Sequence, residues 1–458
     1  MISRALRDQL DGRVLTSGDV EYDEARGLFN GAIDIRPSMI AQCAHARDVR
    51  TALTFARDGG LPIAVRSGGH GVTGACLVED GLVIDMRMLG AVTVDPVART
   101  ATVGGGALWT HVDRACQPHG LATTGGRAST TGVAGLTLGG GSGWLERAYG
   151  LTSDNLLSVD LVTAAGELVT ASTTEHPDLF WALHGGGGNF GIATSFTFRL
   201  HPVERVTAVL LLWPADRGRQ AAGRFRDVFA EAPDHAGGAM LFLTGPPRQF
   251  APAELAGRHC FGALVTYLGP EDEARRLIAP LLELDPPGGL IAEMPYADLQ
   301  SALDDPPGMR NHWSSDYLAA LPDAALDAYR ASAERMIVPS ASQYQLVPWG
   351  GAVARGAGTS PMADREAAWV VHQVGMWEGA ENDERGREWV RQTRDAMRPW
   401  TTGATYLNFI GDEGADRVLA GFGPANHARL SAIKAEYDPD NVFNRWHNVP
   451  PKQRPVPA

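Results

Sequence analysis

Val49, Ala52, Leu53 and Ala56 recur at the three- and four-residue spacing of one helix face. Asp48 has the side chain of an N-cap, and Gly59-Gly60 supplies the stop, so the pattern predicts a helix between them. Pro62 to Val65 then reads as a short strand that runs straight into a glycine-rich turn, Arg66 to Gly71. Leu82 to Met86 and the pair of segments around Asp95 to Thr100 read as further short strands. Ala107 to Gln117 has Leu108, Val112 and Ala115 on one side of a predicted helix. LLSVDLV and ELVTA flank Ala164-Ala165-Gly166 as a hairpin. In SFTFRL, Phe196, Phe198 and Leu200 alternate inward, as on a half-buried strand.

The pattern changes at about Thr207. From there to Pro399, longer strands (AVLLLW, AMLFLT, ALVTYL and Ala367 to Trp377) alternate with charged helices such as Glu271 to Leu284 and Asp323 to Met336. This predicts an antiparallel sheet with helices on one face, in an α+β chain. The last stretch, Tyr406 to Ala458, holds KAEYDPDNVF and a proline-rich tail, and composition does not assign it to either region.

A length of 458 residues fits two domains. The net charge of −13 argues against a nucleic-acid binder. The 54 glycines cluster in loops, not in a collagen-like period. Cys43, Cys76, Cys116 and Cys260 have no zinc or CxxC spacing and read as buried thiols, so no metal is expected. The N-terminus lacks the apolar core of a signal peptide, and no run of apolar residues reaches membrane-spanning length. The expectation is a cytoplasmic protein with no membrane partner.

GxxxxGK[ST], HExxH and a GxSxG elbow are absent. Gly139 to Gly143 and Gly185 to Gly191 are glycine loops without the strand, helix and distal acid of a dinucleotide fingerprint. His70 lies inside RSGGHG, and a second glycine block, Gly135 to Trp144, follows downstream. Glycine lets backbone amides approach a phosphate, so the two loops point to a large phosphate-bearing cofactor that His70 can meet.

IAVRSGGHG, TGVAGLTLGGGSGWLERAYGLTSDNLLSVDLVTAAGELV, HPDLFWALHGGGGNFGIATSFTFRLHPV and KAEYDPDNVF resemble the berberine bridge enzyme-like FAD-linked oxidoreductases of the vanillyl-alcohol oxidase superfamily. The resemblance runs in order from about Arg36 to Pro451. It implies a two-subdomain FAD-binding domain over residues 1–203, with its core from about 36. A substrate domain of antiparallel sheet backed by helices is inserted at 204–400, and segment 401–458 returns to the FAD domain.

The resemblance also implies roles. His70 would carry the flavin covalently through the 8α-methyl carbon. Arg66, Ser67, Gly68, Gly69, His70 and Gly71 would cradle the pyrophosphate. Thr131, Gly132, Gly135, Gly139, Gly140, Gly141 and Ser142 would run along the flavin, with Gly191, Ile192 and Asn448 completing the contacts. Thr131 matches the position that controls oxygen access. Ala128 stands where many relatives carry a second, cysteine link, and Cys116 is a poor substitute, which implies a single bond. Ser142 replaces a tyrosine of several members. Gln345 is placed at the family's catalytic acid and cannot accept a proton as a carboxylate does. Tyr406 then becomes the candidate for proton handling near the flavin, Asn408 its positioner, and Trp349 and Gln345 the lining of the substrate side.

The implied reaction is hydride removal from a C–H beside an alcohol or amine, with O2 as acceptor and H2O2 as product. The partners are a small-molecule substrate and O2, in a monomer or homodimer. Two other readings stand beside it. A flavin oxygenase or cyclase acting on a polyketide-type substrate would place oxygen from ¹⁸O2 in the product. A flavin-carrying binding protein without catalysis would show no flavin reduction with any substrate.

Overall fold

The computed structural model describes residues 2–453 except Gln249 and Leu303; the last five residues of the proline-rich tail lie outside the described residues. Its first sheet has four strands, ordered Arg13–Leu15, Met39–Gln42, Leu82–Asp85, Ile63–Arg66, with the last three parallel. Leu82–Asp85 is buried at every position, as expected for a central parallel strand covered on both faces. The helix Ala46–Asp58 packs Val49, Ala52, Leu53 and Ala56 into the same core as Ile63, Leu82 and Ile84. Its cap differs from the expectation. His45 is the N-cap, and the Asp48 carboxylate instead accepts the amides of Asp11, Gly12 and Ala44. The acid lies in the first turn of the helix, where it ties the N-terminal segment down.

The second sheet has five antiparallel strands, ordered Val92–Asp95, Thr100–Gly104, Ile192–Arg199, Leu156–Val162, Leu168–Ser172. DPVART is the turn of the first hairpin, with Asp95 Oδ1 accepting from the amides of Val97 and Ala98. Phe196 and Phe198 point into a core shared with Trp109. The helix Trp109–Cys116 buries Trp109, Val112, Asp113 and Cys116, not the Leu108–Val112–Ala115 face expected. The face is displaced because Leu108 sits at the N-cap and packs toward Gly68.

The third sheet has seven antiparallel strands. Their order is Gly288–Pro295, Arg205–Pro214, His259–Tyr267, Ala236–Thr244, Gln343–Pro348, Trp369–Trp377, Arg310–Leu318. Its two faces differ because strand side chains alternate. Met240, Phe242, Tyr344, Leu346 and Val371 pack against the helices Gly218–Glu231, Asp323–Ala333 and Asp383–Met397. Leu241, Leu243, Gln343, Gln345 and His372 face the other way, into a cavity.

After this sheet the chain returns to the second. Helices Ala415–Phe422 and Pro424–Tyr437 bury Val418, Phe422, Leu430 and Ile433 in the core that holds Phe196. Lys434 and Asp438 explain the KAEYDPDNVF block. The buried Lys434 ammonium donates to the carbonyls of Asn189 and Phe443 and pairs with Asp438 at 3.0 Å. The α+β, two-subdomain architecture is thus the one expected.

Candidate active site

A cavity of about 560 Å³ lies between the glycine loops and the free face of the seven-stranded sheet. That falls within the roughly 300–1,000 Å³ of small-molecule sites. Ser67, Gly68, Gly69, His70 and Gly71 form part of one wall, with Thr131, Gly132, Gly135, Ser142, Gly191 and Ile192. The two loops touch backbone to backbone. A Cβ on Gly68 would stand 2.3 Å from the Gly132 nitrogen, and one on Gly132 would stand 2.3 Å from that of Gly68. Only glycine permits that approach. Ser67 Oγ is buried beside them with no hydrogen-bond partner among the described residues. Gln300 steadies the same wall, donating to the carbonyl of Gly126 and to the buried Asp113, whose carboxyl burial pushes up to about 7.

Several expected cofactor residues lie off this wall. Arg66 ends its strand with the guanidinium turned away, donating to the carbonyls of Ala25 and Gly27. Gly139, Gly140 and Gly141 stand behind the wall, against Asn408, Met362 and Thr152 respectively. Gly140 (φ 106°) and Gly141 (φ 91°) have the backbone conformation that glycine alone adopts readily. Asn448 is also off the wall, with a buried, unpartnered Oδ1, and Trp446 of the same segment lines the cavity.

His70 is sandwiched into position. Its ring stacks on Phe29 at 4.3 Å, and Nε2 lies 2.9 Å from Thr130 Oγ1. Burial, offset in part by Asp304, pushes its pKa down to about 4. The imidazole is therefore neutral at physiological pH, with Nδ1 free of any described hydrogen bond.

The opposite wall carries a second neutral histidine that sequence reasoning did not single out. His372 is 4% exposed and lines the cavity, yet neither ring nitrogen has a partner. It stacks on Phe409 at 4.1 Å with Trp313 edge-on at 5.5 Å. Burial, and secondarily the Arg127 charge, lowers its pKa to about 3. Gln345 is its register partner on the adjacent strand. Gln345 Nε2 donates to Gln343 Oε1 at 2.7 Å, and Gln343 Nε2 donates to Asp305 at 3.3 Å. A His-Gln pair inside the apolar run AAWVVHQVGMW was the available signal, but which face His372 occupied depended on the sheet.

Tyr406 does not reach the cavity wall, which corrects its expected placement there. It is fully buried, and its hydroxyl oxygen accepts from Gly141 N at 2.8 Å, Ser142 N at 3.0 Å and Asn408 Nδ2 at 3.1 Å. Burial pushes its pKa up to about 12, against the lowering effect of those three hydrogen bonds, and the hydroxyl ties the glycine loop down. Asn408 does touch Tyr406 as expected, and it also lines the cavity. Trp349 is likewise corrected: it is buried behind the wall, packed on Tyr317 and Tyr406.

A glycine cradle facing a sheet across one cavity defines an FAD-linked oxidoreductase of the two-subdomain type. The comparisons bear this out. The family profile described as "FAD binding domain" matches residues 37–172, and "Berberine and berberine like" matches residues 405–450. (R)-6-hydroxynicotine oxidase of Paenarthrobacter nicotinovorans is 31% identical over 465 residues, 97% of each chain. The crystal structure of 6-hydroxy-D-nicotine oxidase from Arthrobacter nicotinovorans is similar with a TM-score of 0.85 at 28% identity, covering 97% of this chain and 98% of that one. BBE-like 1 of Physcomitrella patens gives 0.88 at 25% identity, covering 99% and 100%. The chain belongs to the berberine bridge enzyme-like FAD-linked oxidoreductases. FAD fits the residues present: the glycine contact offers backbone amides, Ser67 Oγ lacks a partner, and His70 is uncharged. No helix among the described residues is long and apolar enough to cross a membrane.

Proposed function

We propose that the chain is an oxidase that carries FAD on His70. It takes a hydride from a C–H beside an alcohol or amine of a small organic substrate, with O2 as acceptor and H2O2 as product. The observation that carries this reading is two neutral imidazoles on opposite walls of one cavity. Bound FAD supplies the two-electron acceptor and passes the electrons on to oxygen.

His70 is the nucleophile for attachment. Thr130 holds Nε2, Phe29 fixes the ring plane, and burial keeps the ring unprotonated. A single link is the reading that the cysteines favour. Ala128 occupies the wall, Cys116 is buried in its helix, and burial pushes the Cys116 thiol up to about 12. Cys76 does line the cavity, but burial raises its thiol too.

His372 takes the role first given to Tyr406. Of its two free ring nitrogens the unprotonated one accepts a hydrogen bond from a substrate hydroxyl or amine and steers that proton as the C–H bond breaks, while the N–H is free to donate. Gln345, held by Gln343, stands beside it and orients the same group. Thr131, on the glycine wall, is the residue for oxygen access. Residues 1–203 and 401–458 are read as the cofactor part, and 204–400 as the substrate part.

The test is an anaerobic screen of aromatic alcohols, amines and sugars for bleaching of the flavin absorbance, run beside acid precipitation. Flavin that stays in the pellet and bleaches with a substrate supports the reading. Colour that moves wholly to the supernatant removes the covalent part, and a flavin that no compound reduces removes the oxidase part.

A further inference from the structure

Part of the sheet wall of the cavity is hydrocarbon, presented by Leu210, Leu241, Leu243 and Leu264 with Phe250 from a neighbouring loop. Two carboxylates interrupt it. Asp304 and Asp305 both line the cavity, just beyond the helix Tyr296–Ala302. Asp304 accepts from Ser129 N at 2.7 Å and from Ser129 Oγ at 2.5 Å. Asp305 accepts one bond, from Gln343 Nε2 at 3.3 Å. Among the described residues neither carboxylate has a cation within ion-pair distance.

The other charged groups facing this space do not neutralise them. The Arg127 guanidinium is taken by Glu146 at 2.7 Å and by Ser142 Oγ at 2.9 Å. Arg248 is exposed on the loop at the rim. His372 is uncharged. Burial first, and Asp304 second, raise Asp305 to about 6, so it is mostly ionised at neutral pH. Asp304 is exposed and Asp305 half-buried, so the desolvation falls on Asp305, where a carboxylate without a counter-charge is unfavourable until a cation joins it.

The polar groups form a rail along the wall. Asp305 is bonded to Gln343 and Gln343 to Gln345, and Gln345 is in register with His372. The buried His372 nitrogens at the far end have no hydrogen-bond partner among the described residues and lie on the same cavity.

We propose that Asp305, with Asp304 beside it, is the recognition point for a protonated amine on an otherwise apolar substrate. The ammonium binds at the carboxylates and the hydrocarbon lies along the leucine face. This rests on the reading of the cavity as the substrate site of an FAD oxidase. An ammonium offers three donors and a full charge to carboxylates whose acceptor sites are only partly filled. An alcohol of the same shape offers one donor and no charge.

The test is calorimetric binding to the purified holoprotein of three probes of one chain length: hexylamine, hexanol and hexanoate. Hexylamine should bind at least about tenfold tighter than hexanol, a difference of about 1.4 kcal/mol, and hexanoate should bind weakest. Asp305→Asn keeps an acceptor for Gln343 and should bring hexylamine to within about threefold of hexanol, a small remainder of that tenfold. Asp305→Glu, which restores the charge, should recover part of the preference. Hexanol binding as tightly as hexylamine, no measurable hexylamine binding, or a preference that survives both Asp305→Asn and Asp304→Asn would each overturn the proposal. Flavin content is measured on every sample. A protein without flavin that still prefers the amine through Asp305 sinks the oxidase reading and leaves amine recognition standing. A flavin-loaded protein without the preference does the reverse.

Discussion

The two walls of the cavity are built on opposite principles. On the glycine wall the backbone does the binding, and side chains are stripped away so that Gly68 and Gly132 can meet. On the sheet wall the backbone is consumed by strand pairing, and alternate side chains do everything. Each wall carries one neutral histidine, and the difference between them follows from that construction. His70 stands in a loop and is fixed by a hydrogen bond to Thr130 and by stacking on Phe29, which itself packs against Val374 and Met376 of the sheet. His372 stands in a strand, is fixed by packing alone, and has both nitrogens free. One is suited to hold a cofactor permanently and the other to meet a substrate transiently.

The sharpest way to break the comparison is to remove the glycine-wall histidine. His70→Ala should abolish the covalent link outright, moving all colour to the supernatant after acid precipitation, and turnover should slow. Flavin that stays in the pellet would place the link elsewhere.

His372→Ala should act on the other half. Positioned acid–base groups contribute roughly 10²–10⁴-fold, so anaerobic stopped-flow should show flavin reduction slowed about 10²-fold or more. Flavin content should not change. A rate within about threefold of wild type, well short of such a contribution, would remove His372 from the chemistry.

Tyr406→Phe tests the clamp behind the glycine wall. It leaves the amides of Gly141 and Ser142 without their shared acceptor. An unsatisfied buried polar group costs about 1–3 kcal/mol. A lower denaturation midpoint is therefore expected, with a smaller loss of reduction rate than in His372→Ala. A large rate loss at unchanged stability would return the proton role to Tyr406.

The stability of the sheet wall should also carry a pH signature. His372 is held at about 3, below its usual 6.5, so the unfolded chain takes up the proton first. Its contribution is present above about 6.5 and is lost as pH falls toward about 3. Asp305, raised to about 6, contributes in the opposite sense, so only the comparison with His372→Gln isolates the effect. In denaturant titrations across that range, wild type should lose stability relative to the variant. Parallel curves would mean that the ring is not desolvated.

The smallest effect belongs to Cys116→Ser, which should leave the flavin linkage untouched. A peptide carrying flavin on any cysteine would contradict the single bond.

Much of this was legible in the chain. The alternation in SFTFRL, the helix from Val49 to Ala56 and the long strands after Thr207 are local patterns, and burial followed them. The glycine wall was legible for a related reason. Within each loop, His70 with Gly68 and Gly132 with Thr131, short sequence spacing dictates short spatial spacing, and all four line the cavity, although the meeting of the two loops is itself a tertiary contact. Even there the register of side chains escaped. Arg66 turned outward and Gly139 to Gly141 fell behind the wall, because φ angles and packing partners decide which side of a loop faces in.

The sheet wall was decided by tertiary structure. Gln345 and His372 become neighbours only through strand pairing across residues far apart in sequence, and Asp305 joins them only when a loop folds against that sheet. Tyr406 shows the same limit from the other side. Its place in the chain beside Asn408 was readable, but that its hydroxyl accepts from amides more than 260 residues away was not. The sequence by itself determined the elements, the two glycine loops and the histidine in the first, since those are set by neighbours along the chain. Which groups face the substrate, and which of them are uncharged, depends on long-range packing and desolvation, and these exist only once the chain has folded.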